Sequence, residues 1–347
     1  MVPLGVLLTP IITKKTLTLD DLKGRSFAVD GFNVLHQFLA LIRARDGTPL
    51  MDSEGRVTSH LVGLAFRTTR LVSDYSMRLV FVFDGRPPDL KQQEVEKRQK
   101  AKRKAEEEYR EAVSRGDYAT AYSKAVMTGR LTREGLDDTK RLLTLLGIPW
   151  VQAPGEGEAQ AAYMASRGDV WAANSRDYDS LLFGTPRLLR YLTISGEEWL
   201  PSKGRARRLE PELIELEGFL SELGITREQL IDLSILVGTD FNEGIKGIGP
   251  KTALKLIKRH GSIEELPEET LAKVPDTYQT IRSIYLDPEI TETYDVETKE
   301  LDEEGLVDFL CGERSFSPRR VETLVKRMRA AGSQRSLTDF IGGGRHA

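Results

Sequence analysis

Four short apolar runs, each ending in or leading to carboxylates, constrain this chain more than any other feature. They are Ser26–Asp30 (SFAVD), Arg78–Asp84 (RLVFVFD), Gly147–Gln152 (GIPWVQ) and Asp169–Asn174 (DVWAAN). None shows the apolar–polar alternation of a strand with one wet face, so each reads as a strand buried on both sides. Helical stretches separate them: Ser59–Val72, Gly135–Leu146 and a helix opening near Glu158. Buried strands alternating with helices predict an α/β fold, with a mostly parallel central sheet and helices on both faces. After Pro201 the pattern turns helical, with Arg227–Val237 behind an N-cap at Thr226 and a second helix at Thr252–Arg259.

Ligands of an open parallel sheet bind beyond the C-terminal ends of its strands. Acids collect there in this chain: Asp30, Asp84, the pair Glu156/Glu158 and the pair Asp177/Asp179 each follow a different run, and Asp240 follows an apolar helix in VGTDF. Carboxylates crowded together repel one another unless cations lie between their oxygens. An oxygen-only donor set suits Mg²⁺ or Mn²⁺ rather than zinc. Two such ions about 3.5–4 Å apart serve in-line phosphodiester hydrolysis. Taken singly, each acid could instead cap a helix or make a turn. Spacing leaves both readings open.

Two further segments carry charge in a pattern. Gly247-Ile248-Gly249 opens a helix with Pro250 at its first position, flanked by Lys246 and Lys251. Free N–H groups at such a start bind phosphate, and a helix–hairpin–helix of this kind holds a duplex backbone without reading its sequence, though the same residues also suit an ordinary tight turn between two helices. No GxxxxGK[ST] loop is present. Between 89 and 134 large aliphatic side chains are scarce, and residues 91–110 hold eight basic and five acidic residues. That is a solvated helix standing on the sheet rather than in its core. Lys91, Arg98 and Lys102 fall on one face if it is helical.

Composition sets the remaining bounds. The 347 residues carry 50 basic and 53 acidic side chains, a net charge of −3. A near-neutral total argues against a nucleic-acid partner only until the acids are sorted by position. Removing the seven strand-end and loop acids leaves +4 for the rest of the chain, so the total hides an anionic pit beside cationic surfaces. The single cysteine, Cys311, excludes an internal disulfide or a CxxC zinc site and fits a reducing compartment. The apolar start Val2–Ile12 lacks a basic lead and holds Pro3 and Pro10, so it reads as folded chain rather than a signal peptide.

Five ordered blocks resemble the archaeal and eukaryotic flap endonucleases, the XPG/Rad-type structure-specific 5′ nucleases of replication and repair. They are residues 27–33 (FAVDGFN), 82–88 (VFDGRPP), 153–163 (APGEGEAQAAY), 177–184 (DYDSLLFG) and 238–244 (GTDFNEG), with GIGPK at 247–251 following in place. The resemblance runs from about residue 25 to 330. It implies two Mg²⁺, replaceable by Mn²⁺, among Asp30, Asp84, Glu156, Glu158, Asp177, Asp179 and Asp240. It also implies K⁺ near Gly247 and Gly249, and catalytic roles for Lys91 and Arg98 on the scissile phosphate. The implied activity is incision near the base of a 5′ flap, with 5′–3′ exonuclease action, in Okazaki fragment maturation and long-patch base excision repair. The charged insertion becomes a helical gateway and arch for the 5′ strand. Further DNA contacts are expected at His36, Arg45, Arg67, Arg70, Lys102, Lys246 and Lys251.

The implied division is one nuclease domain over 1–330: sheet at 1–88 and 135–225, arch at 89–134, helix–hairpin–helix region at 226–275 and C-terminal helices at 276–330. A flexible tail, 331–347, follows. Its residues Gln334, Leu337, Phe340 and Ile341 resemble the box that docks on a PCNA-type sliding clamp. The expected state is a monomer, with no membrane attachment, cytoplasmic and nucleoid-associated in an archaeon or nuclear in a eukaryote. Two positions depart from the family pattern: the chain starts Met1-Val2-Pro3 rather than Met-Gly, and His36 stands where relatives place a base-stacking Tyr. Two other functions compete, a non-catalytic clamp-tethered junction scaffold and a Mg²⁺-dependent small-molecule phosphohydrolase. The first has no need of seven acids and the second has no use for the glycine loop.

Overall fold

The computed structural model describes residues 5–44, 48–91, 131–194, 196–200 and 205–342, together with residues 100, 103–105, 107–109, 111, 112, 114, 115, 117, 120 and 124. Its strands are β1 Lys15–Thr16, β2 Ser26–Asp30, β3 Arg78–Phe83, β4 Trp150–Gln152, β5 Ala172–Asn174, β6 Arg187–Arg190, β7 Gly196–Leu200, β8 Arg205–Leu209 and β9 Glu212–Glu215. Seven form one sheet in the order β1-β9-β6-β5-β2-β3-β4, and β7-β8 form a separate hairpin. The run β6-β5-β2-β3-β4 is parallel throughout, while β9 and β1 close one edge antiparallel. The four apolar runs therefore lie side by side as β5-β2-β3-β4, with β4 as the outermost strand, and their C-terminal ends point the same way.

Period-two alternation decides which core each side chain enters. Phe27, Val29, Leu79, Phe81 and Phe83 face one layer, filled by the helices Gly31–Leu41 and Arg133–Leu145 and by the C-terminal helices. Ala28, Val80, Val82 and Val151 face the other, packed on Ala161, Met164 and Ala165 of the helix Gly157–Ser166. Both faces being dry explains why β2, β3 and β5 read as unbroken apolar segments, whereas the outermost strand β4 buries Val151 and exposes Trp150 and Gln152. A third core joins Val6 and Leu8 from the N-terminus to the helices Arg227–Val237, Pro250–His260 and Tyr278–Leu286. The first of these opens with a reciprocal cap: Gln229 N donates to Thr226 Oγ1 (3.2 Å) and Thr226 N to Gln229 Oε1 (2.9 Å).

Some elements differ from expectation. The helical stretch from Ser59 to Asp74 contains a π-helical segment, Leu64–Thr68. The described residues from 100 to 114 are all helical, in keeping with the charged helix expected there. The helix Pro318–Gly342 continues through Gly332 and Ser333, where the expected tail was to begin with a break. Glycine and serine lower helix propensity without forbidding it, so the weak break signal did not end the helix. No helix among the described residues is long and apolar enough to cross a membrane.

Candidate active site

The seven acids converge at the C-terminal edge of the parallel run. Asp30 ends β2 and caps the following helix, with Oδ1 accepting from Asn33 N (3.0 Å) and Oδ2 from Ser175 Oγ (3.3 Å). Asp84 leaves β3 and its Oδ1 accepts from Gly157 N (2.7 Å), at the start of the helix that carries Glu158. A Cβ on Gly157 would stand 2.6 Å from that oxygen, so only glycine permits the approach. Asp177 accepts from Asn33 Nδ2 (2.8 Å) and Glu158 from Ser180 Oγ (3.1 Å). The capping role and the cluster role thus coexist in Asp30 and Asp84, since a carboxylate has two oxygens to spend.

Electrostatics tie the seven together. Burial, then the charge of Asp84, pushes the Asp30 carboxyl up to about 8. Burial, then Asp240, does the same to Asp179, again to about 8. Glu158 is raised by desolvation and by Asp179, Asp30 and Asp177, and Glu156 chiefly by desolvation. Lys91, at the end of a 3₁₀ turn, reaches into the same cluster. Its ammonium pairs with Glu156 and lies 3.4 Å from Asp240 Oδ2. Burial alone would lower its pKa, but these carboxylates together outweigh it and hold the amine charged.

Carboxylates with raised pKa values at one sheet edge are what a cation site looks like before its charge is compensated. The donors are all oxygens, and no histidine or cysteine is among them, which fits Mg²⁺ or Mn²⁺. Among the described residues no three such side chains are drawn tightly enough to form a finished ligand shell.

Two family profiles match: the XPG N-terminal domain over residues 4–105 and the XPG I-region over 147–240. A flap endonuclease 1 of Ignicoccus hospitalis is 47% identical over 331 residues, 95% of this chain and 94% of that one. This chain belongs to the flap endonuclease family. The solved structure of the flap endonuclease-1 from Methanococcus jannaschii superposes with a TM-score of 0.76 at 38% identity, covering 95% of this chain and all of that one. The catalytic core of Rad2, solved in complex with DNA substrate, shares the fold alone, with a TM-score of 0.65 at 21% identity over 91% of this chain and 96% of that one. As a flap endonuclease the chain is a structure-specific nuclease, a metal-dependent hydrolase of DNA phosphodiester bonds fitted to replication and repair.

The other expected site residues of this flap endonuclease are dispersed. Gly247 (φ +89°) and Gly249 form the exposed turn before the helix Pro250–His260, with Lys246 and Lys251 exposed beside them. A surface hollow of about 430 Å³ is lined there by Gly244–Ile248, Thr270 and Lys273. His36 is exposed on the helix Gly31–Leu41. Arg67 is half-buried, and desolvation lowers its pKa. Arg70 is exposed and lies 3.6 Å from Asp74. Arg45, Arg98 and Lys102 lie outside the described residues. Gln334, Leu337, Phe340 and Ile341 lie along the helix Pro318–Gly342.

The site also holds residues that sequence reasoning passed over. Gly5 N donates to Asp240 Oδ1 (3.2 Å) and Val6 N to Asp179 Oδ1 (2.8 Å), so the N-terminal segment braces two of the acids. Gly5 has φ +68°, and a Cβ there would meet the Asp179 carboxylate at 2.9 Å. Val6 and Leu8 are buried on either side of exposed Leu7. That alternation, read as a strap over a core, was the available signal.

Proposed function

We propose that this nuclease incises branched DNA near the base of a 5′ flap, with 5′–3′ exonuclease action on related ends. The observation that carries the reading is the convergence of seven acids, several with raised pKa values, on one sheet edge of a chain that also exposes a basic glycine turn. Asp30, Asp84, Glu156, Glu158, Asp177, Asp179 and Asp240 would hold two Mg²⁺ ions, or Mn²⁺ in their place. Bound there, the ions would activate the attacking water and offset the charge that builds on the phosphate.

The chain's own residues do the rest. Asn33, Ser175, Ser180 and the amides of Gly5, Val6 and Gly157 fix the carboxylates by hydrogen bonds. Lys91 already lies within reach of a phosphate placed over Glu156 and Asp240, and Arg98 is its intended partner. The turn at Gly247 and Gly249, with Lys246 and Lys251 and K⁺ in the hollow beside them, would hold the duplex backbone. Arg45, Arg67 and Arg70 would extend that contact, and His36 would stack on an unpaired base. The 89–134 insertion, with Lys102, would arch over the 5′ strand. Gln334, Leu337, Phe340 and Ile341 would dock a helix on a PCNA-type clamp. In this reading the enzyme acts as a monomer in the nucleoid of an archaeal cytoplasm, or in the nucleus of a eukaryote. Residues 1–330 form the nuclease and 331–347 its tether.

The test uses labelled 5′-flap, plain duplex and single-stranded DNA with Mg²⁺ or with EDTA. Mg²⁺-dependent incision confined to the flap junction is expected. Indifference to all three DNAs, or binding without cutting, overturns the reading.

A further inference from the structure

We propose that Arg190 is a positioning residue: a buried guanidinium that clamps the Arg176–Asp179 turn in the shape that lets Asp177 and Asp179 take a divalent cation. The proposal rests on the ion-site reading above. Arg190 ends β6, and the antiparallel register sets it opposite Glu212 on β9. It is 8% exposed. A desolvated guanidinium must satisfy its donors within the protein. One bond, from Nη1, meets the carboxylate of Glu212 at 3.1 Å, and Lys14 binds the other oxygen of that carboxylate at 2.5 Å.

The remaining bonds go to the turn and its surroundings. Nε donates to the Arg176 carbonyl (2.8 Å), Nη1 to the Tyr178 hydroxyl (2.6 Å) and Nη2 to the Tyr191 hydroxyl (3.0 Å). The guanidinium also lies 4.2 Å from the Tyr178 ring centre and 4.8 Å from that of Tyr191. Tyr191 reaches this place from a left-handed backbone, φ +63°, a conformation costly for an aromatic residue.

The consequence lies on both sides of Tyr178. That residue separates Asp177 from Asp179, so a hold on its ring, its hydroxyl and the Arg176 carbonyl fixes the backbone directions of both acids. The same hydroxyl lies 3.3 Å from Thr9 Oγ1, on the N-terminal segment whose amides brace Asp179 and Asp240. Arg190 thus joins the turn and the strap into one rigid support. Groups of this kind, one layer behind metal ligands, typically change affinity about 10- to 100-fold when removed.

The experiment measures Mn²⁺ binding to the full chain without DNA, by titration calorimetry, for the parent, Arg190→Lys, Tyr178→Phe and Asp179→Asn. Thermal unfolding in EDTA is recorded for each. Arg190→Lys keeps the charge opposite Glu212 and loses the fork. It is expected to weaken Mn²⁺ binding about 10-fold or more. Tyr178→Phe keeps the ring and loses only the hydroxyl. It is expected to weaken binding several-fold and keeps the test alive if the lysine variant does not fold. A merely structural arginine would lower the unfolding temperature and leave the Mn²⁺ affinity of the folded protein where it was. That result, with Asp179→Asn losing affinity, overturns the clamp. If Asp179→Asn binds Mn²⁺ like the parent, the ion-site reading itself fails.

Discussion

Asp30 and Asp52 are each 8% exposed, Asp30 deep in the protein and Asp52 just beneath its surface, and their carboxyls shift in opposite directions. Asp52 sits in a tight turn among donors. Its Oδ1 accepts from the amides of Glu54 (3.0 Å) and Arg56 (2.9 Å), and its Oδ2 from Arg56 Nε (2.7 Å). Burial alone would raise it, but the Arg56 bonds outweigh that and hold it below the usual range. Asp30 sits among other acids, and burial with the Asp84 charge pushes it up to about 8. The difference teaches what each region is for. A carboxylate that serves the fold brings its own cation. One that serves a ligand is left short of positive charge, and the fold bears that cost until the ligand arrives.

Changes on the two sides should therefore fail differently. The largest effect is expected from Asp179→Ala: flap incision should fall by about 10³-fold, while flap binding in EDTA stays close to the parent by fluorescence anisotropy. Undiminished Mg²⁺-dependent incision would remove Asp179 from the site. Next comes Arg56→Ala, which strands the Asp52 carboxylate. Urea unfolding should show a clear loss of stability, smaller in effect than the loss of incision above, with the stabilisation gained from Mg²⁺ unchanged. A matching loss of that Mg²⁺ effect would mean that the two regions are not separate.

Much of this was legible in the sequence. The runs containing Asp30 and Asp84 and the helices around Glu158 and Arg227–Val237 announced themselves, because parallel strands dry on both faces leave unbroken apolar segments. Strand ends then located six acids, and VGTDF the seventh. What escaped depends on long-range placement. Nothing local marks Arg190 as the partner of Tyr178, since the β6–β9 register that buries it is set by pairing across the sheet. Gly5 and Val6 act through backbone amides on acids more than 170 residues away, and amides carry no signature in the side-chain alphabet. The short antiparallel β1 and β9 gave too few residues for a period to show. Gly332 and Ser333 misled because a helix tolerates both.

The central claim is that the acid cluster is a cation site built at the expense of the fold, and its pH linkage tests that most directly. Burial and the neighbouring acids push the Asp30 and Asp179 carboxyls up to about 8, from the ordinary 3.8 of an exposed Asp. Between those values the folded state holds protons that the unfolded chain has released, so stability falls as pH rises. Buried His60, lowered to about 4 by desolvation, works the other way below its ordinary value of 6.5. The clean window is therefore pH 6.5 to 8. Stability should be measured there by urea unfolding in EDTA and again in Mg²⁺. The expected result in EDTA is a decline, approaching about 1.4 kcal/mol per pH unit for each proton held, and Mg²⁺ should stabilise the chain more at pH 8 than at 6.5. Stability that is flat or rising with pH in EDTA, or a Mg²⁺ effect equal at both ends, would contradict the account.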